Sequence, residues 1–325
     1  MTISDIYEHL AKQFGEQRVK NDEHIAPKLT SRTGGRVRIY LETQKQEELI
    51  NALNILRGKE QKFIVIGTGS HTIFSDEGYN GVVIKNNCRK FEILNMRGKI
   101  KNNRIDVDKA YLYAESGCLL NQAVRYSLEN GMSGLEDLLG TPGSIGGFLK
   151  RSLDKDEKNS AVNRLYQIRL IDKNGRLKFI DPSKNPLTDS SKVIDKGDTI
   201  LSATFTLTPG DEKKLWEKAT KVATEKEKLF TMGRPLGLIF KDITLSVAMS
   251  TPTPGNTTSA SELIDKSFSS DIKIGGACVL ADSGNMLLNT GNATTKDIMD
   301  LVKEIRSKVF KKFGVKLEMQ IEIIN

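Results

Sequence analysis

Residues 134–147 read Gly-Leu-Glu-Asp-Leu-Leu-Gly-Thr-Pro-Gly-Ser-Ile-Gly-Gly, with Gly140, Gly143, Gly146 and Gly147 set around Pro142. Four glycines so close to one proline leave the backbone nearly free of side chains. A chain needs this where its peptide groups must come within hydrogen-bonding distance of a flat ring or a phosphate.

A second such loop comes earlier. The apolar run 63–66 ends in Gly67, Thr68, Gly69, Ser70 and His71, followed by Thr72, Ile73, Phe74, Ser75 and Asp76. Taken singly, each loop is open to a plain reading. Gly-x-Gly after a strand also makes a tight turn, and the usual dinucleotide fingerprint needs a third glycine and a following helix. The surrounding pattern supplies a frame for both loops. Ile3, Ile6, Tyr7, Leu10 and Phe14 predict an amphipathic helix within residues 2–20. From Val37 onward a strand (37–41), a helix (46–56), a strand (63–66), the first loop and a strand (81–84) form a small α/β unit. A second unit begins near Phe91, with strands predicted at 92–94, 104–107 and 111–114 and a helix at 119–130 that runs into the second loop. Residues 149–163 read as a charged connection, and further strands fall around 166–172, 178–180 and 199–208. A long helix at 211–229 links to a third unit, where the turn-rich stretch 250–261 separates 237–247 from a helix at 262–266. A helix at 296–313 and a strand at 317–324 finish the pattern.

In order and spacing the two loops resemble the flavin-binding halves of the UDP-N-acetylenolpyruvoylglucosamine reductases, bacterial wall enzymes that reduce an enolpyruvyl ether to a muramic acid. The resemblance extends to Thr30, Ser31, Arg32, Thr33, Gly34 and Gly35 near the start, followed by Glu47, Glu48 and Leu49. Toward the end it includes Gly275, Gly276, Ala277, Asn285, Asn289, Gly291, Ala293, Thr294, Asp297, Phe313, Gly314, Val315, Leu317 and Glu318. It implies an α+β fold: a two-subdomain FAD-binding module of the vanillyl-alcohol-oxidase type over residues 1–88 and 89–208, plus a smaller α/β substrate domain over 209–314. The strand at 315–325 is expected to return to the first subdomain. By the same resemblance, Gly67, Thr68, Gly69, Ser70 and His71 face the flavin pyrophosphate. Thr141, Pro142, Gly143, Ser144, Gly146 and Gly147 run along the isoalloxazine and phosphate side, and Ser116 and Gly117 approach the flavin as small residues. FAD is then the cofactor, held non-covalently, with NADPH as reductant and a nucleotide sugar as the small-molecule ligand.

Composition fits a protein of this kind. At 325 residues, with 38% hydrophobic and 28% charged side chains, the chain can bury two or three small cores. The formal charge of +8 raises nucleic acid as a ligand, but the basic residues are interleaved with acidic ones rather than massed. The expectation is a solvated surface whose positive excess favours anionic small molecules, with no nucleic-acid partner. No run reaches the roughly eighteen apolar residues of a membrane span, and residues 1–13 lack the pattern of a secretory signal. A cytoplasmic protein without a membrane partner is expected. Cys88, Cys118 and Cys278 are far apart and lack His or Cys neighbours at metal-ligand spacing, so reduced thiols and no metal site are predicted.

The residues that would carry the family's chemistry read differently. In the family an arginine and a glutamate stabilise the developing enolate and a serine donates the proton. The serine belongs to a Gly-Ser-x-Phe-Lys-Asn run, which here is Gly237, Leu238, Ile239, Phe240, Lys241 and Asp242. The arginine's Tyr-Arg-x-Ser run is matched by Leu187, Thr188, Asp189 and Ser190, and the glutamate by Gln320 after Leu317, Glu318 and Met319. The resemblance therefore puts Thr188, Leu238 and Gln320 at the Arg, Ser and Glu positions. Ser190 or Ser191 and Glu318 or Glu322 are neighbouring substitutes, but in a strand Glu318 and Glu322 would lie about 7 Å to either side of Gln320 and read as surface carboxylates. The family's Asn-x-Gly-Ala-Tyr-Gly segment is replaced by residues 148–156. His71 stands where the reductases carry asparagine; it reads as a covalent flavin attachment point, a hydrogen-bonding residue near the phosphates, or a plain loop residue. Three functions stay open: a reductase with rearranged catalytic groups, a flavin-binding homologue that no longer catalyses this reaction, and a flavin oxidoreductase with another substrate.

Overall fold

The computed structural model describes residues 2–101, 104–154, 161–182, 194–195, 197–269, 271–280 and 284–325. The chain divides into two compact units, one of Met1–Asn21, Arg38–Thr68 and Gly81–Lys228, the other of Asp22–Val37, Gly69–Asn80 and Leu229–Asn325.

The chain opens with α1 (Ile3–Phe14), which buries Ile6, Leu10, Ala11 and Phe14 on one face. Thr2 and Asp5 cap it reciprocally: the Thr2 hydroxyl accepts the Asp5 N–H at 3.2 Å, and the Asp5 carboxylate accepts the Thr2 N–H at 2.7 Å. There follow β1 (Val19–His24), β2 (Arg36–Thr43), α2 (Gln46–Gly58), β3 (Phe63–Ile66), β4 (Ile73–Phe74), which belongs to the second unit, and β5 (Tyr79–Asn86). Four of these strands make a sheet in the order β1-β2-β5-β3, with β3 and β5 parallel. Leu49, Ala52, Leu53 and Leu56 of α2 pack with Ile39, Leu41, Val82 and Ile84 in the first core.

The rest of the first unit is built on a long antiparallel pair, β6 (Phe91–Lys101) and β7 (Arg104–Glu115). After them come α3 (Leu120–Glu129), β8 (Met132–Ser133), α4 (Ile145–Asp154), β9 (Leu165–Ile171), β10 (Leu177–Ile180), β11 (Thr199–Pro209) and α5 (Glu212–Phe230). The second sheet runs β10-β9-β11-β7-β6, with β8 pairing to β11. Ala123, Val124 and Leu128 of α3 and Ile145, Leu149 and Leu153 of α4 share its core with Phe205. The expected charged connection at 149–163 is therefore corrected in its first part. Ile145, Phe148, Leu149 and Leu153 fall at intervals of three and four, so Lys150 and Arg151 decorate the outside of a helix whose other face is buried. Residues 155–160 lie outside the described residues.

The second unit adds β12 (Arg234–Leu238), α6 (Leu245–Ser250), α7 (Ala260–Ser267), β13 (Ile272–Ile274), β14 (Ala277–Val279), β15 (Met286–Asn289), α8 (Thr295–Phe313) and β16 (Ile323–Ile324). Its antiparallel sheet runs β12-β15-β14-β13. Leu263 and Ile264 of α7 pack with Ile298, Leu301, Val302 and Ile305 of α8 in its core. Helix α8 stops at Gly314, whose φ of 67° lets its N–H turn back to Phe310 O. The expected strand at 317–324 is a strand only at β16, which pairs parallel with β4. Before it, Met319 bridges Phe240, the Lys241 N–H donates to Glu318 O at 2.9 Å, and the N–H groups of Gln320 and Ile321 both point to Ile239 O. Two donors on one carbonyl break the ladder register there. Two wholly antiparallel sheets, beside one that contains the parallel β3–β5 pair, together with the helices packed on them make the fold α+β.

Candidate functional site

In the first unit the glycine-rich segments interlock. A Cβ on Gly67, at the end of β3, would overlap the hydroxyl of Ser144 in the second loop. Ser144 is 2% exposed, bridges to Leu119, and accepts the Gly147 N–H at its hydroxyl at 3.3 Å. The Gly146 N–H donates to Ser116 O at 2.8 Å, and a Cβ on Gly146 would lie 2.8 Å from Ser116 Cβ. Gly117 lies against the peptides of Asn86 and Cys88, and Asn86 Nδ2 donates to the Ser116 hydroxyl at 2.8 Å. Gly67, Ser116, Gly117, Ser144, Gly146 and Gly147, far apart in sequence, thus belong to closely packed backbone segments in which Ser116, Gly117 and Ser144 are buried and Gly147 is exposed.

The leading edge of the second loop is fixed from two helices. Asn121 of α3 accepts the Gly140 N–H at 2.7 Å and donates to Thr141 O at 3.3 Å. Lys226 of α5 donates to Asp137 O at 2.6 Å, Leu139 O at 3.2 Å and the Thr141 hydroxyl at 2.7 Å. Burial pushes the Lys226 ammonium down from the ordinary lysine range, opposed by the Asp137 charge. After Pro142, Gly143 O accepts the Leu120 N–H at 3.0 Å. Nothing in the sequence singles out Asn121 or Lys226, polar residues within amphipathic helices, so sequence reasoning missed both. Nearby, burial pushes the thiols of Cys88 and Cys118 up to about 12, which keeps them protonated and inert as nucleophiles.

In the second unit, Gly69 lies over Leu29, and Gly69 O accepts the Ser31 N–H at 3.2 Å. Ser70 is 6% exposed, and its hydroxyl lies 3.0 Å from His71 Nδ1. The N–H groups of Gly69 and Ser70 have no acceptor among the described residues. The His71 ring packs on Gly237: a Cβ there would sit 2.9 Å from His71 Cδ2. Leu238 follows, half-buried, at the end of β12, and Gln320 bonds the next residue through the 2.7 Å contact of its N–H with Ile239 O. The fold thus brings His71 and Gln320 to the two ends of the short segment that contains Leu238. Thr188, Ser190 and Ser191 lie outside the described residues. Glu318 is exposed and paired with exposed Lys241 at 3.3 Å, and Glu322 is exposed. Among the described residues no group of three His, Cys, Asp or Glu side chains could hold a metal ion, and no helix is long and apolar enough to cross a membrane.

Residues 230–324 match the family model of the UDP-N-acetylenolpyruvoylglucosamine reductase C-terminal domain, and residues 37–180 match an FAD binding domain. Two relatives agree along nearly the whole chain. The UDP-N-acetylenolpyruvoylglucosamine reductase of Carboxydothermus hydrogenoformans is 28% identical over 327 residues, covering 100% of this chain and 99% of the relative. That of Clostridium tetani is 28% identical over 330 residues, covering 98% and 96%. Along nearly its whole length the chain is similar to the UDP-N-acetylenolpyruvoylglucosamine reductases. The crystal structure of UDP-N-acetylenolpyruvylglucosamine reductase from Thermus caldophilus shares its fold, with a TM-score of 0.65 at 20% identity over 95% of this chain and 99% of that one. Both glycine loops lie inside the FAD-binding match, and Leu238 and Gln320 lie inside the reductase C-terminal match. Thr188 falls between the two.

Proposed function

We propose that this protein binds FAD, as the match of residues 37–180 to an FAD binding domain supports, and is impaired or inactive in reducing the enolpyruvyl ether of a nucleotide sugar. One contrast carries the reading: the interlocked glycine segments are intact, whereas Leu238 and Gln320 stand where a proton donor and an acid are expected. The fit to FAD rests on backbone. Gly67, Thr68, Gly69, Ser70 and His71 would hold the pyrophosphate, with the N–H groups of Gly69 and Ser70, which have no acceptor among the described residues, as donors. Ser116, Gly117, Thr141, Pro142, Gly143, Ser144, Gly146 and Gly147 would border the isoalloxazine, residues 1–88 and 89–208 forming the flavin module and 209–314 the substrate domain. When bound, FAD supplies hydride transfer, with NADPH as the reductant that recharges it. The protein's own task is then to place the nucleotide sugar, exclude water and deliver one proton. A leucine side chain excludes water but has no proton to give, and a glutamine amide offers hydrogen bonds without acidity.

Adding FAD to the protein and following NADPH oxidation with and without the enolpyruvyl nucleotide sugar tests this reading. Flavin uptake with no substrate-dependent oxidation is the expected result. Failure to take up FAD removes the cofactor assignment, and flavin that stays with the polypeptide after denaturation, but not in His71→Ala, indicates covalent attachment instead. A second reading, a reductase with rearranged groups, is favoured by one observation: the His71 imidazole packs directly on Gly237, beside the position of the missing hydroxyl. Under that reading substrate-dependent oxidation proceeds and falls in His71→Gln.

A further inference from the structure

Helix α5 grips the turn ahead of the second glycine loop with two lysines that do different things. Lys218 pairs with the Asp137 carboxylate at 3.0 Å, and both side chains are substantially exposed. Lys226 lies deeper, with its three contacts on Asp137 O, Leu139 O and the Thr141 hydroxyl. An ammonium has three donors and no lone pair, so these contacts use it fully, and Thr141 Oγ1 can only accept from it. The other polar atoms of Thr141 are also committed: its N–H donates to Leu138 O at 3.0 Å, and its carbonyl accepts from Asn121. One donor is left. The Thr141 hydroxyl hydrogen has no acceptor among the described residues, and a hydroxyl that accepts from a cation is polarised into a stronger donor. Thr141 is half-buried and opens the loop Thr141–Pro142–Gly143–Ser144.

Building on the FAD reading above, we infer that Lys226 is a positioning residue that makes the Thr141 hydroxyl a dedicated hydrogen-bond donor to an acceptor atom of the bound flavin. The ammonium donates to Asp137 O and Leu139 O as well as to the hydroxyl, so it repels the hydroxyl hydrogen from its own side and turns it away from these two carbonyls. Without Lys226 those two carbonyls lose their donor and the hydroxyl gains local acceptors. The residue therefore acts on the ligand through Thr141, which distinguishes it from Lys218.

The test is a flavin titration of the full chain, with FAD affinity and the position of the bound flavin's visible band as readouts. Thr141→Val and Lys226→Met are each expected to weaken FAD about 3- to 10-fold and to shift the band in the same direction, while Thr141→Ser and Lys218→Met keep the wild-type values. The double variant is expected to match the single ones, because both remove the same donor. Should Lys226→Met not fold, the contrast between Thr141→Val and Thr141→Ser decides alone. Wild-type affinity and spectrum in Thr141→Val, or losses that multiply in the double variant, overturn the inference while leaving the FAD reading intact. A wild-type chain that takes up no FAD overturns both.

Discussion

A methyl group on Gly117 would meet Cys88 O at 2.6 Å and Asn86 O at 2.7 Å, backbone atoms that cannot rotate away. Gly117→Ala is thus expected to cost about 1–3 kcal/mol of stability, read as a lower denaturant midpoint, and to reduce flavin loading with it. At Gly147 the same methyl would approach only the Ser144 hydroxyl at 3.4 Å, so Gly147→Ala serves as the control for the stability loss alone. Leu238 and Gln320 allow the opposite kind of experiment, gain rather than loss. If they stand for a proton donor and an acid, the combined variant Leu238→Ser, Gln320→Glu should raise substrate-dependent NADPH oxidation at least about tenfold over the wild type. A double variant that folds, binds FAD and turns over no faster would show that these two positions do not limit the reaction.

At the scale of elements, α8 was readable from sequence because its start carries its own chemistry. Thr294 accepts the Asp297 N–H at 3.0 Å while Asp297 accepts the Thr294 N–H at 3.0 Å, and Asp297 also accepts from Gly276 at 3.2 Å. Thr294→Ala should cost about 1 kcal/mol in chemical unfolding. The Thr294 backbone bond, with those from Gly276 and the Thr294 hydroxyl, holds the Asp297 carboxyl below the ordinary aspartate range. The folded form then binds fewer protons than the unfolded one. Asp297 therefore contributes stability that is complete above about pH 4 and is lost as pH falls through its folded value. Asp297→Asn should flatten the acid side of the stability profile, and an unchanged acid limb would argue against the cap. Strand β3, from the run Phe-Ile-Val-Ile, and α2 were equally legible, since period and composition decide them locally. Helix α4 was not, because Gly146, Gly147, Lys150 and Arg151 mask its apolar face. The stretch before β16 was not either: its partner is the segment around Phe240, and only the tertiary fold determines that its N–H groups converge on Ile239 O.

For the whole molecule, order and spacing of glycines were enough to suggest the family and its α+β fold, because close approach of backbone to backbone admits no side chain. Gly67 on Ser144 and Gly146 on Ser116 are such approaches. The packing of His71 on Gly237 and the Lys226 clamp on Thr141 join residues far apart in sequence, and no local pattern announces them. The central claim is that the flavin site is retained while Leu238 and Gln320 stand where a proton donor and an acid are expected. Anaerobic rapid mixing of the reduced flavoprotein with the enolpyruvyl nucleotide sugar tests it most directly. The flavin should stay reduced far longer than the roughly 0.1 s expected of an ordinary enzyme turnover, with no muramic product. Reoxidation within seconds, with one muramic product formed per flavin, would contradict it.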